Sequence, residues 1–279
     1  MTNRKNSERN ARYHIRALDR ALRLLSLLSD GKPRTSTEIS EGIRLSPSTT
    51  FRILVTLASH NFVARDENNG QYRLGLACLQ LARGYQDTND IRRMALPLLE
   101  SLRDDIKETV HLAILDNMEV AYLEKLSGLH AIGIMSSRVG GRAPAYCTGV
   151  GKILLAYQDQ QMVEEHFTTY GLNRYTETTI TDLLDLMGEL DATRQRGYSF
   201  DNGEHEHEVR CIAAPIFDLN GKAVAAVSVS GPYARLDPLE ENHEMIEKVI
   251  RTALEISFQL GYLPAENNRD QREDLSPDK

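Results

Sequence analysis

The sequence predicts an α+β chain: a winged helix-turn-helix, a helical connector, and a domain built on an antiparallel sheet. Three observations carry this. Residues Thr35 to Arg73 hold a short capped helix, a turn, a second helix opened by Ser46-Pro47-Ser48-Thr49-Thr50, and a glycine-tipped hairpin, in that order. From Val110 the apolar spacing shifts from a helical period toward two. Charge also divides unevenly: residues 1–74 hold 13 Lys/Arg against 7 Asp/Glu, and residues 75–279 hold 20 against 33, so +6 and −13 make up the chain's −7.

The first helix is expected from Ile15 to Ser29, with Leu18, Ala21, Leu22, Leu25 and Leu28 on its apolar face. Thr35 to Gly42 follows as a capped helix of two turns, and Leu45 anchors the turn after it. Ser46 is a natural N-cap and Pro47 suits the first helical position, where no backbone N–H is needed. A helix then runs from Pro47 to His60, with Phe51, Leu54, Val55 and Leu57 read as its apolar stripe. Phe62–Arg65 and Gln71–Leu74 should pair as a hairpin, with Asn69-Gly70 as a strong turn dipeptide.

Leu76 to Arg83 reads as helix, Asp87 to Asp90 as a break, and Ile91 to Lys107 as helix with a kink or new start at Pro97. The apolar face of this connector (Leu76, Leu79, Leu81, Leu98, Leu102) is suited to pairing with a second subunit. Strands are expected at Val110–Leu115, Val120–Leu126 and Ile132–Met135, and helices at Gly149–Tyr157, Met162–Tyr170 and Asp182–Arg196. A hairpin of Arg210–Phe217 and Ala223–Ser230 turns at Asn220-Gly221, ahead of an amphipathic helix from Asp237 to Leu260. The resulting parts are 13–75, 76–108, 109–263 and a polar, unpatterned tail at 264–279 that reads as disordered.

These features point to double-stranded DNA as a partner. Three elements in the right order within forty residues outweigh the bland alternative of a small helical core with a surface loop. A basic front part can release counterions from a duplex, whereas the acidic remainder is repelled by it. Thr35, Ser36, Ser46, Ser48, Thr49, Thr50 and Arg52, with Arg65 and Arg73 of the hairpin, are the candidate DNA-contacting residues.

Other classes fare worse. A composition of 41% hydrophobic and 26% charged residues is that of an ordinary globular protein. No apolar run approaches the roughly 20 residues needed to span a bilayer, and the polar start has no secretory core, so a cytoplasmic protein is expected. Cys78, Cys147 and Cys211 are odd in number and lack CxxC spacing, which reads as reduced thiols. No GxSxG, P-loop or HExxH occurs, and Cys147 beside Tyr146 has no identifiable base; no catalytic residue and no cofactor are assigned.

The chain resembles the IclR family of bacterial transcription regulators over nearly everything from Ala17 to Gly261. The matching stretches are Ser46-Pro47-Ser48-Thr49-Thr50-Phe51-Arg52-Ile53-Leu54, Tyr72-Arg73-Leu74-Gly75, Thr148-Gly149-Val150-Gly151-Lys152, Arg196-Gly197-Tyr198-Ser199-Phe200-Asp201 and Cys211-Ile212-Ala213-Ala214-Pro215-Ile216. The resemblance implies a GAF-like effector domain, a homodimer or homotetramer, and ligand-controlled operator binding, often as a repressor of a catabolic operon. An activator of the same family, or a thiol- or metal-dependent enzyme with an appended DNA-binding domain, are the alternatives.

The family's effector pocket falls on Gly149 and Val150, whose backbone N–H groups at a helix start suit a carboxylate. Asp201, Cys211, Ser228 and Ser230 supply polar contacts, and Ile132, Met135, Ala143 and Val209 an apolar wall. A small organic or sugar acid is the implied effector. Without the resemblance, Ser228 and Ser230 read as ordinary small strand residues and Cys211 as a buried hydrophobe. His205 and His207 on a strand would share a side with carboxylates nearby, yet no third ligand at a fixed spacing is evident, so a solvated acidic loop is preferred to a metal site. Glu208 stands where the family pattern usually has glycine, which bears on the shape of the pocket mouth.

Overall fold

The computed structural model describes residues 15–88, 90–128 and 135–263. Two compact units divide the chain, Met1–Thr88 and Asn89–Lys279, and the division falls inside the stretch expected as connector.

In the first unit, helices α1 (Arg16–Leu28), α2 (Ser36–Gly42) and α3 (Pro47–Ser59) are followed by strands β1 (Val63–Arg65) and β2 (Tyr72–Leu74) and helix α4 (Leu76–Thr88). Both reading helices start as their capping residues dictate. Thr35 accepts from the Glu38 backbone N–H at 3.3 Å while the Glu38 carboxylate accepts from the Thr35 N–H at 2.7 Å, a reciprocal box. Ser46 caps α3 by accepting from the Thr49 N–H, with Pro47 in the first turn. The core is Leu24, Leu28, Ile39, Ile43, Leu54, Leu57, Val63 and Tyr72.

Two apolar stripes are phased differently from expectation. On α1, Leu24 and Leu28 are buried while Leu18 and Leu22 are exposed. On α3 the buried face is Thr50, Leu54 and Leu57, and Phe51 and Val55 face out. Both helices carry more large apolar residues than one face can bury, so packing partners choose the phase. The hairpin pairs as expected, Val63–Arg65 against Tyr72–Leu74. Asn69-Gly70 does not form a two-residue turn but closes a six-residue loop, with the Asp66 and Gly70 N–H groups donating to the Gln71 and Asp66 carbonyls at 2.8 Å each. Arg34 and Tyr72 exchange main-chain hydrogen bonds of 3.0 and 2.7 Å, adding a bridge to the hairpin edge.

The second unit is a six-stranded antiparallel sheet with helices on both faces. Its strands are β3 (Thr109–Asp116), β4 (Glu119–Leu126), β5 (Arg142–Pro144), β6 (Ser199–Asn202), β7 (Val209–Phe217) and β8 (Ala223–Pro232), in the order β5-β4-β3-β8-β7-β6. Helix α5 (Asp90–Ile106) and the last helix cover one face. Helices α6 (Gly149–Ala156), α7 (Gln160–Tyr170) and α8 (Leu183–Arg196) cover the other. A short helix α9 (Tyr233–Leu236) precedes the expected terminal helix, which starts late, as α10 (His243–Gln259), after a 3-10 turn at Leu239–Glu241. No new helix starts at Pro97: α5 runs through it, because burial of Ala95, Leu99 and Leu102 outweighs one missing backbone donor. Strands β5 and β6 were not expected; of the strand expected at Ile132–Met135, residues 132–134 lie outside the described residues, as does the tail at 264–279, and Met135 is not in a strand.

Period-two alternation sorts the sheet residues into two cores. Val110, Leu112, Ile212, Ala214, Val227 and Val229 face α5 and α10, whereas Ala113, Ala213 and Ala226 face α6. Small residues on the α6 side let that helix lie close to the sheet. Among the described residues no helix is long and apolar enough to cross a membrane.

Candidate functional site

On α3, Ser46 and Ser48 lie exposed at the helix start, with Thr49 half-buried and Arg52 exposed one turn on. Ser46 Oγ contacts the hydroxyls of Ser48 at 3.2 Å and Thr49 at 2.9 Å, so the first turn presents a cluster of short hydroxyls. Thr50 is a correction. It is 0% exposed and on the Leu54–Leu57 face, so its hydroxyl points into the core and reaches no DNA. Thr35 spends its hydroxyl on the capping box and donates to Glu38 at 2.8 Å, and Ser36 beside it is half-buried. Arg73 is exposed on β2, and Arg65 lies over the Tyr72 ring at 5.8 Å.

In the second unit, the residues that alternate away from the α5 side turn polar at one end of the sheet. Antiparallel register places Ser230 opposite Cys211 and Cys211 opposite Asp201, with His111 opposite Ser228 in the neighbouring row. Helix α6 begins over this row. Its first residue, Gly149, leaves a β-carbon only 3.3 Å from Cys211 Cβ, and a β-carbon at Gly151 would strike the Ala145 backbone, so the glycines let the helix start close to the sheet. Thr148, at the cap position, does not cap: its hydroxyl donates to the Pro144 carbonyl at 2.9 Å. The first-turn N–H groups of a buried helix are therefore left facing a cavity with no side-chain acceptor.

That cavity has about 600 Å³ of empty space counted to its open mouth. It is lined by Met135, Ala143, Gly149, Val150, Asp201, Val209, Cys211, Ser228 and Ser230, so nine of the ten expected pocket residues come together. The tenth, Ile132, lies outside the described residues.

Sequence reasoning missed His111, Tyr122, Arg138 and Glu206, which also line the cavity. A polar residue between Val110 and Leu112 on an alternating strand was the available signal for His111. Burial, reinforced by the Lys125 ammonium, pushes His111 down to about 3, so the ring is neutral with one donor and one acceptor nitrogen. Ser230 donates to Cys211 Sγ at 3.1 Å, which leaves its oxygen to accept from His111 Nδ1–H at 3.3 Å. Nε2 then accepts from the Ser137 hydroxyl at 2.9 Å. The ring thus fixes the polarity of the serine row, and Ser230 turns an acceptor lone pair toward the cavity.

Burial, with the Glu204 carboxylate close by, pushes Asp201 up to about 7. The Glu204 N–H donates to Asp201 Oδ1 at 2.7 Å and opposes the shift. Glu204 is itself held by the buried Lys152 of α6, which also reaches Glu189 at 3.4 Å. The rim is tied across the mouth, where the Ser136 N–H donates to Glu206 at 2.9 Å and Lys125 donates to the Ser137 carbonyl at 2.6 Å. Arg138 stands exposed at this rim.

Asp201 and Asn202 close β6, residues 203–208 form bends and a turn rather than a strand, and the side chains of this acidic segment disperse. Glu204 turns in to Lys152, His205 packs on the Tyr175 ring at 5.2 Å, Glu206 bridges to Ser136, and His207 and Glu208 are exposed. No group of three metal-ligating side chains occurs among the described residues. Glu208 stays outside the cavity lining. Cys147 is fully buried and its thiol is pushed up by burial and by the Asp201 carboxylate, the opposite of an activated nucleophile.

A capped helix-turn-helix with a hairpin wing, joined to a domain that encloses a polar cavity beneath a helix start, defines a ligand-responsive DNA-binding regulator of transcription. Residues 17–67 match the IclR helix-turn-helix domain, and residues 83–258 match the C-terminal domain of the bacterial transcriptional regulator IclR. The chain belongs to the IclR family. It is 35% identical to the HTH-type transcriptional regulator KdgR of Escherichia coli K12, over 86% of this chain and 90% of that one. The transcriptional repressor IclR of the same organism is 31% identical over 88% and 90%. Among solved structures, an IclR homolog from Microbacterium hydrocarbonoxydans complexed with 4-hydroxybenzoate superposes with a TM-score of 0.77 at 29% identity, covering 88% of this chain and 98% of that one.

Proposed function

We propose that the chain represses a catabolic operon and that a small hydroxylated or keto acid in the second unit sets its grip on operator DNA. The observation that carries this reading is the meeting of an uncapped, buried helix start with the polar row Asp201, Cys211, Ser230 in one cavity. The Gly149 and Val150 N–H groups take the acid's carboxylate, aided by the helix dipole. Ser230 accepts from a ligand hydroxyl, Asp201 in its protonated form donates to a ligand oxygen, and Met135, Ala143 and Val209 pack the carbon skeleton. Arg138 at the rim draws the anion in. The acid 4-hydroxybenzoate, seen in the Microbacterium relative, combines a carboxylate with a hydroxyl in the same way. The relative named as a repressor favours that sign of regulation.

In this reading 13–75 reads the operator, 76–108 links, and 109–263 senses, with the protein acting on DNA in the cytoplasm. Of the connector face, Leu98 and Leu102 pack into the core of the second unit, and exposed Leu76, Leu79 and Leu81 on α4 suit a homodimer or homotetramer, which sedimentation of the full chain measures. The test of function is a thermal-shift screen of the full chain against short hydroxy and keto acids, sugar acids and 4-hydroxybenzoate, followed by gel shift on the DNA upstream of its own gene. A stabilising acid should also change the shifted fraction. Stabilising acids that leave DNA binding untouched would contradict the reading.

A further inference from the structure

Phe51 and Val55 stand four residues apart on α3, are 55% and 53% exposed, and take no part in the core of their unit. With 3.6 residues per turn, they share with Ser48 and Arg52 an arc of about 100° opposite the buried Thr50, Leu54 and Leu57. The same arc thus carries a hydroxyl, a guanidinium and two bare apolar groups. It carries no acidic side chain, since α3 has none.

That mixture fits a major groove better than a protein surface. The Ser48 hydroxyl and Arg52 supply phosphate or base-edge contacts, and the basic part of the chain, net +6 over residues 1–74, favours a polyanion. The apolar features of a major groove are the C5-methyl groups of thymine, and phenyl and aliphatic side chains meet them by direct contact. We propose that Phe51 and Val55 read thymine methyl groups, so that they set the operator's preference at A·T pairs while Ser48 and Arg52 position the helix. The proposal rests on the DNA-binding reading of α3 and adds to it a chemical class of contact.

The test uses the full chain and a duplex enriched by it from a random-sequence library. Binding is measured to that duplex and to the same duplex with every thymine replaced by uracil, which removes only the methyl groups. Each contacted methyl buries about one methylene equivalent, so wild type should lose about fourfold per methyl. In the double variant Phe51→Ala, Val55→Ala, binding to the thymine duplex should weaken, the uracil penalty should fall below about twofold, and the salt dependence should stay as in wild type. Because both positions are exposed, the variant's melting temperature should match wild type.

A wild type indifferent to uracil, or a double variant with the full uracil penalty, overturns the proposal. So does a double variant that loses oligomer mass in sedimentation, which would assign this face to a second copy of the chain. Failure to enrich any duplex above non-specific retention would instead bring down the DNA-binding reading on which the proposal stands.

Discussion

Helix α3 begins at an exposed serine cap, and helix α6 begins in a buried turn with no side-chain cap. The first arrangement satisfies part of the helix start from within and leaves recognition to side chains that radiate from it. The second keeps backbone donors buried and without a side-chain cap, so in the proposed function a carboxylate entering there satisfies them. On the proposed function, a surface that slides over many DNA sequences and a pocket that holds one small acid use the same secondary-structure element in opposite ways. Around α3 the electrostatics are open to solvent and screened by salt. Around α6 they are buried, and burial holds His111 below and Asp201 above its ordinary proton affinity.

The largest expected effect lies beneath α6. Lys152→Met leaves Glu204 without its buried cation, while Glu189 keeps Arg196, and should destabilise the second unit by about 3–5 kcal/mol in denaturant unfolding, because a broken buried pair strands a charge. Adding Glu204→Gln should recover part of the loss. Stability unchanged by Lys152→Met would mean that the interior is wetter than the contrast requires.

On α3, Arg52→Ala should weaken specific DNA binding by about 1–3 kcal/mol in gel shift, while calorimetric affinity for a stabilising acid stays the same. Equal loss of both would show that the two helix starts do not act separately. Ser230→Ala removes one acceptor from the cavity and should weaken the acid by about 1 kcal/mol, leaving ligand-free DNA affinity in place.

The smallest effect is a pH dependence. Asp201 has its proton affinity raised from 3.8 to about 7, so the stability tied to its proton is fully present below pH 3.8 and lost progressively as pH rises to about 7. An anion beside it favours the protonated form, so acid affinity should fall as pH rises through about 7. Asp201→Asn should flatten both slopes, and an affinity for the acid that rises with pH would contradict the placement of the ligand next to Asp201.

Legibility in the sequence followed the same divide. Caps, turn residues and the change of period are local signals, and Thr35, Ser46, Pro47 and the β3, β4, β7 and β8 runs placed their elements within a few residues. Which way a helix faces is not local: Phe51 and Val55 read as core, yet Thr50 occupies that face, because the phase is set by Leu24, Ile39 and Val63 packing from other elements. The polar row of the cavity was reached through motif resemblance rather than spacing, since Asp201, Cys211 and Ser230 become neighbours only through strand register. His111 was missed for that reason, and Glu206 because its role depends on a loop meeting Ser136 seventy residues away. Short strands such as β5, three residues ending in proline, leave too brief a pattern to read.

On the proposed function, the acid in the second unit and the operator on the first are linked in free energy. Calorimetric affinity for a stabilising acid, measured on the full chain alone and then saturated with its enriched duplex, tests it directly. An acid that lowers operator affinity tenfold should bind tenfold more weakly to the DNA complex. The same acid affinity in both states, alongside a measurable change in DNA binding, would contradict it.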